Sequence, residues 1–301
     1  MGSKKILVIG SSNTDMVVQS ARLPAPGETI LGGQFLMNPG GKGANQAVAA
    51  AKLGSDVSFM CRLGKDLFGT EAISNFKGYG MDTSGIVQDE NHPSGVALIM
   101  VDEKGENCIS VALGANNELS KAQIDANRAL FEACEIVLIQ LEIPISTVEH
   151  AVQLAKKLGK TVILNPAPAH ELSTTTLSHI DIITPNETEL QLLSGHTITD
   201  DASIRAAAQC LLDQGAKTVI VTLGKRGAFI LNENLETVIP APTVQTVDTT
   251  AAGDTFNGAL AVALSDGKEL KIAIEFANRA AAFSVTKLGA QSSTPTLEDL
   301  K

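Results

Sequence analysis

Residues Val247 to Gly258, reading V-D-T-T-A-A-G-D-T-F-N-G, place one carboxylate, Asp254, behind Ala251, Ala252 and Gly253. With almost no side chain, these three let the backbone approach a ligand and turn its N–H groups toward it. The apolar run that follows reads as a helix, whose N-terminal end favours negative charge. The segment therefore forms a cradle for an anion such as a transferring phosphoryl group. A carboxylate in that cradle is placed to take the proton from an attacking hydroxyl. The same residues also suit an ordinary loop-to-helix turn with an acid in its first turn.

A second constellation, Pro39-Gly40-Gly41-Lys42-Gly43-Ala44-Asn45-Gln46-Ala47, opens another helix with a glycine cluster and one lysine. It has neither the spacing of a Walker A loop nor that of a dinucleotide fingerprint. Asn13 and Asp15, in G-S-S-N-T-D, follow the first strand. With Lys42 and Asn45 they make fork-like partners for a polyol, in which every hydroxyl needs a donor or acceptor. Close packing of a glycine turn is the alternative.

The elements that must position these groups alternate along the chain. Ile6–Gly10, Ile136–Gln140, Thr161–Asn165, Ile180–Thr184 and Thr218–Leu223 are short β-branched runs that read as buried strands. Gly43–Leu53, Ser146–Leu158, Glu187–Ser194, Ala202–Gln214 and about Leu270–Val285 carry helical spacing. The alternation predicts an α/β fold with a mostly parallel sheet covered by helices on both faces, its ligands bound beyond the carboxyl ends of the strands. Asn165, Asn186, Glu187 and Gly224 all follow strand ends.

Glu28–Met37 and Val96–Ala112 break the pattern as extended segments. Leu98–Val101 and Cys108–Ala112 read as hairpin arms about a D-E-K-G turn at Asp102–Gly105. A small antiparallel sheet acting as a lid is expected from them, edge strands of the main sheet being the alternative. The expected organisation is a single domain over 1–301. Its lid segments, about 13–40 and 94–113, are inserted in a core of 1–12, 41–93 and 114–301. The tail Ser292–Lys301 reads as loosely attached.

Composition sets further limits. The 301 residues are 44% hydrophobic and 19% charged, as expected of a globular chain, and the net charge of −10 argues against nucleic acid or an anionic membrane as partner. No apolar run reaches spanning length, and the N-terminus enters a strand directly, so a cytoplasmic protein is expected. Cys61, Cys108, Cys134 and Cys210 are scattered and read as free thiols. His92, His150, His170, His179 and His196 form no metal pattern.

The two glycine segments, in this order, resemble the ribokinase, or PfkB, family of carbohydrate kinases. The resemblance runs over essentially the whole chain, with L-N-P-A-P-A, I-I-T-P-N-E-T-E and V-T-L-G-K-R-G as further matching motifs. It implies a ribokinase-like fold with the small sheet as lid. It also implies ATP-dependent phosphorylation of a sugar's primary hydroxyl, here O5 of D-ribose, with Mg2+.

Carried over residue by residue, the resemblance makes Asp254 the base and Ala252, Gly253 and Asp254 the anion hole. Asn13, Asp15, Gly41, Lys42, Asn45, Glu142 and Asp254 become sugar contacts. Asn186, Thr222, Gly224, Gly227, Gly253 and Asn278 become nucleotide contacts, and Asn186 and Glu189 hold magnesium through water. For Glu142 a capping role, and for Glu189 a solvated helix face, are the alternatives. A potassium activator is implied at Asp248, Thr250, Ser284, Lys287, Gly289 and Ser293, Asp248 as a turn cap being the alternative. A homodimer through the lid is implied too, with Leu98, Met100 and Ile109 on its exposed face.

Two other readings stay open. One is a kinase for deoxyribose, pseudouridine or a hexose, and the other is a catalytically weak sugar sensor.

Overall fold

Short, wholly apolar stretches become the centre of the molecule because nothing in them tolerates water. The computed structural model describes residues 5–301. The strands are β1 (Ile6–Ile9), β2 (Asn13–Gln19), β3 (Gln34–Gly40), β4 (Val57–Met60), β5 (Arg62–Gly64), β6 (Val87–Asp89), β7 (Gly95–Val101), β8 (Asn107–Ala112), β9 (Ile136–Ile139), β10 (Thr161–Leu164), β11 (Ile182–Ile183), β12 (Val219–Thr222), β13 (Ala228–Leu231) and β14 (Glu236–Ile239). The helices are α1 (Lys42–Lys52), α2 (Leu67–Gly78), α3 (Lys121–Ala126), α4 (Arg128–Ala133), α5 (Ile145–Lys157), α6 (Thr174–Leu177), α7 (Glu187–Ser194), α8 (Asp201–Asp213), α9 (Ala252–Ser265) and α10 (Leu270–Ser284).

The main sheet runs β14-β13-β12-β11-β10-β9-β1-β4. It is parallel from β4 to β12 and closes with the antiparallel pairs β12–β13 and β13–β14. Alternation across the pleat divides the core into two layers. Ile6 and Val8 pack with α1, α9 and α10 on one face, while Leu7 and Ile9 pack with α5 and α8 on the other. Helices on both faces explain why the parallel strands read as continuous apolar runs. The hairpin β13–β14 lies outside the alternating pattern, because an antiparallel return needs no crossover helix.

α1 and α9 share a face of the sheet and approach closely. A Cβ added at Gly258 would lie 2.6 Å from the Ala49 Cβ and 2.8 Å from the Gln46 carbonyl oxygen. This contact brings the starts of the two helices together beyond the carboxyl end of β1.

A separate four-stranded sheet, β3-β2-β7-β8, is built from the two segments that interrupt the alternation. Its outer pairs are antiparallel, but the central pair, β2–β7, is parallel. The long connection through α1, β4 and α2 makes a parallel pairing available. Extended structure begins at Gln34, since the Gly32-Gly33 pair before it gives a ladder little to pack. The turn at Asp102–Gly105 closes as read, with Asp102 Oδ1 accepting from the amides of Lys104 and Glu106 at 2.8 and 3.0 Å.

Two expectations need correction. Ile109 pairs with Ile99 and so lies on the opposite face of the sheet from Leu98 and Met100. The first half of the tail is not loose. Gln291, Ser293 and Thr294 are buried, and the Thr294 hydroxyl lies 3.5 Å from that of Thr255 on α9. Among the described residues no helix is long and apolar enough to cross a membrane.

Candidate active site

The N-terminal end of α9 is shaped by a backbone that few residues tolerate. Ala251, which precedes the helix, sits in the left-handed region at φ 57°, the only non-glycine at positive φ among the described residues. The first bond along the helix runs from the Thr255 amide to the Ala251 carbonyl at 2.9 Å. The amides of Gly253 and Asp254 therefore have no acceptor within the helix and point past its end. The Ala252 amide differs, since it is turned to the Thr249 carbonyl at 3.3 Å.

Gly253 is exposed and has ordinary φ, and a Cβ added to it would meet nothing within 4 Å. No contact within the protein requires glycine there, whereas a ligand seated on the helix end would.

Asp254 lies one residue deeper and is buried. Asn45 Nδ2 donates to its Oδ2 and Gln46 Nε2 to its Oδ1, both at 2.9 Å. Burial raises its pKa, and neighbouring Glu142 adds to the rise, against the opposing pull of Lys42, Asn45 and Gln46. The result is a carboxylate of raised basicity with both oxygens oriented, which is what a general base requires.

The other wall is the glycine bend. Gly41 has φ 88°, and a Cβ there would lie 2.6 Å from the Asn13 amide nitrogen. At Gly43 a Cβ would lie 2.6 Å from both the Gly10 carbonyl carbon and the Ser11 nitrogen. The start of α1 is thus pressed against the end of β1. Glu142 fastens the same place, its Oε2 accepting from the Lys42 amide at 3.0 Å and the Ser11 hydroxyl at 2.5 Å.

Burial works to lower the pKa of Lys42, but Asp254, Glu142, Glu189 and Asp15 together hold it above its usual value. Asp15, on β2, has its pKa raised to about 6 by burial and by Glu142 and Asp254, against Lys42. Asn13 Oδ1 accepts from Asn116 Nδ2 at 2.8 Å, which leaves the Asn13 amino group for a hydroxyl.

One permanent cation ringed by acids, an oriented base and a free helix end suit transfer of a phosphoryl group to an alcohol. Comparison with known proteins agrees. Residues 3–297 match the pfkB family carbohydrate kinases. The chain belongs to this family. Over 296 residues it is 45% identical to the ribokinase of Haemophilus influenzae, with 98% of this chain and 97% of the relative covered. The deoxyribokinase of Salmonella typhi is 40% identical over 294 residues, covering 97% of this chain and 96% of that one. A solved structure of Arabidopsis thaliana ribokinase complexed with ribose and ATP superposes with a TM-score of 0.92 at 34% identity, covering 100% of this chain and 98% of that one.

The remaining residues of this carbohydrate kinase group in two places. Asn186 caps α7 in a reciprocal box, its Oδ1 accepting from the Glu189 amide and Glu189 Oε2 from the Asn186 amide, both at 2.8 Å. Asn186 also bridges to Thr222, the last residue of β12. Beyond it the turn Gly224–Gly227 is closed by a Gly227-to-Gly224 bond of 3.0 Å, and Gly227 returns its carbonyl to the Leu223 amide at 2.8 Å. Asn278 is buried on α10, and its Nδ2 donates to the carbonyl of Ile239 at 2.9 Å. Its donor group is therefore committed to the end of β14.

The second group is the loop before α9 and the segment after α10. Amides of Val247 and Asp248 donate to the Val285 carbonyl at 2.7 and 3.2 Å. Asp248 accepts from the Thr250 amide at 2.9 Å and hydroxyl at 2.6 Å, and from the Gly289 amide at 2.9 Å. The Ser284 and Ser293 hydroxyls donate to the carbonyls of Ala281 and Ala290. The Lys287 ammonium lies over the Phe283 ring, 4.2 Å from its centre. Its side chain is thus a poor cation ligand, and only its backbone carbonyl suits that role.

Reading the residues alone gives no role to Gln46, Gln140, Asn116 or Ser11, and marks Asn165 only as a polar residue at a strand end. They are uncharged and sit in strand ends or helix starts, so only their burial marks them out.

Proposed function

We propose that the chain transfers the γ-phosphoryl group of ATP to the O5 hydroxyl of D-ribose, giving ribose 5-phosphate and ADP. The observation that carries this reading is Asp254. It is a buried carboxylate oriented by two amides, beside free helix-end N–H groups and the Lys42 ammonium. The sugar lies against Asn13, Asp15, Gly41, Lys42, Asn45 and Glu142, with its primary hydroxyl toward Asp254. Asp254 accepts the hydroxyl proton as the oxygen attacks phosphorus in line. Charge growing on the transferred oxygens is met by the Gly253 and Asp254 amides. The nucleotide extends over Asn186, Thr222, Gly224 and Gly227, with Asn278 behind it.

Mg2+ supplies charge neutralisation on the phosphates when bound. Among the described residues no group of three acids, histidines or cysteines could hold a metal ion. This fits an ion that keeps its waters and is held mainly by phosphates. Asn186 and Glu189 are the residues that would reach those waters. Potassium is assigned to the loop at Asp248, Thr250, Ser284, Lys287, Gly289 and Ser293, whose carbonyls, hydroxyls and carboxylate are hard oxygen donors. An ion there orders the start of α9 without entering the chemistry.

The second sheet is assigned as lid and dimer contact. Met16, Val18, Phe35, Met37, Leu98 and Met100 share its outer face by register. Phe35 is 60% and Leu98 54% exposed, so this apolar face suits a second copy. Four free cysteines accord with the reducing cytoplasm.

The deoxyribokinase relative favours a second reading, with 2-deoxyribose as acceptor. ATP turnover with ribose, 2-deoxyribose and a hexose panel, in matched potassium and sodium salts, decides between them. Ribose-dependent ADP formation that weakens in sodium is expected. Preference for deoxyribose moves the specificity, and binding of ribose without turnover removes Asp254 as a working base.

A further inference from the structure

Two uncharged amides, those of Asn45 and Gln46, bond Asp254, and only Asn45 belongs to the sugar site described above. Gln46 is fully buried and its Nε2 donates twice, to Asp254 Oδ1 at 2.9 Å and to Asn165 Oδ1 at 3.0 Å. Its Oε1 accepts from Gln140 Nε2 at 2.5 Å. An amide can turn over and present oxygen where nitrogen was, so something must fix its sense.

Here the sense is set by a group that cannot turn. Asn165 Nδ2 donates to the Thr184 backbone carbonyl at 3.2 Å, and a carbonyl is only an acceptor. Asn165 must therefore offer Oδ1 to Gln46, and Gln46 must offer Nε2 to both Asn165 and Asp254. Gln140 Nε2 meets the accepting end that this sense leaves at Gln46 Oε1.

We propose that Gln46 is a positioning residue for Asp254, held in its donating sense by Asn165 and bonded at its other end by Gln140. This inference rests on the reading of Asp254 as the base. Asn45 holds Oδ2 but also belongs to the proposed sugar site. Gln46 has no such duty, and its three partners lie on β10, β9 and α9, or just past their ends. It fixes the plane of the carboxylate relative to the sheet and leaves the remaining lone pairs directed at the incoming hydroxyl.

It also supports the ionised form. The charged groups around Asp254 are Lys42, which favours ionisation, and Glu142, Asp15 and Glu189, which oppose it. Against three acids and burial, losing one donor favours the protonated, inactive carboxyl.

The test is steady-state kinetics of the full chain with its best sugar, from about pH 5 to pH 9, on Gln46→Met, Gln140→Met, the double variant and Asp254→Asn. Methionine keeps the length of glutamine and removes the donor. For Gln46→Met, kcat is expected to fall about tenfold or more, with KM for sugar and ATP within about twofold. The acid limb of kcat should move to higher pH.

Gln140→Met, which reaches Asp254 only through Gln46, should act in the same direction and more weakly, and it carries the test if Gln46→Met does not fold. The double variant should be no worse than Gln46→Met, because both changes break one chain. An unmoved acid limb, with kcat near that of the parent or with loss confined to sugar KM, overturns the inference. If Asp254→Asn is dead while Gln46→Met keeps full turnover, the inference fails and the base stands. If Asp254→Asn retains turnover, both fail.

Discussion

The two glycine-bearing helix starts look alike in sequence but are built for different reasons. At the start of α1, Gly41 and Gly43 are required by the protein itself, because added methyl groups would press on the backbone of Gly10, Ser11, Ser12 and Asn13, just after β1. At the start of α9, Gly253 faces open space and an added methyl group meets nothing. The first segment is glycine-rich so that two elements can touch. The second is bare, with open space beyond it, and on the proposed reading a substrate arrives there. Close packing and ligand access, the two meanings of a glycine turn, are thus divided between the helices, and the site lies where they meet.

Removing the base should give the largest effect on turnover. Asp254→Asn is expected to lower kcat about 10²–10⁴-fold, while the melting temperature does not fall, since a buried charge is lost with it. Turnover by coupled ADP release and melting by calorimetry separate the two effects, and retained activity would leave α9 with no chemical distinction from α1.

Gly43→Ala should then destabilise the fold by about 1–3 kcal/mol through backbone overpacking, with activity lost in proportion to folded protein. Urea denaturation reads this directly. Gly253→Ala sharpens the contrast. Its melting temperature should stay at the parent value, while kcat/KM for ATP falls about tenfold or more as the methyl group enters the anion hole. Equal destabilisation by both alanines would erase the distinction drawn here.

The smallest effect concerns Asp15. Its raised pKa means that the folded state binds this proton more tightly than the unfolded chain does. The corresponding stability is present below pH 3.8 and is lost as pH rises to about 6. Asp15→Asn should therefore raise the melting temperature at pH 8 and leave it unchanged near pH 3.5. Sugar KM in the parent should rise as pH falls through about 6, and this dependence should vanish in the variant.

Much of this was legible from residues. β1, β9, β10 and β12 fall within one or two residues of the apolar runs that predict them, because a buried parallel strand admits only apolar side chains. Asp254, Lys42, Asp15, Asn13 and Asn45 stand out in the sequence as charged and amide groups beside glycines, and the structure brings Asp254, Lys42, Asp15 and Asn45 near one another. Gln46 and Gln140 did not stand out, since an amide at a strand end or in a helix is equally at home in solvent, and Asn165 was marked only by its place at a strand end. The packed tail escaped for a similar reason. Gln291–Thr294 is polar and small, and only its contacts with α1 and α9 show it to be buried.

The sequence by itself therefore determined the elements, their alternating order and the chemical groups available, because periodicity and residue type are local properties. The tertiary structure decided which groups meet. Asn45 and Asp254 are 209 positions apart in the chain, yet their side chains bond at 2.9 Å. That distance depends on the approach of α1 to α9 at Gly258 and on the seating of both helices on one face of the sheet. Such a contact is fixed only when the whole core packs, since no local propensity encodes the spacing between two helices.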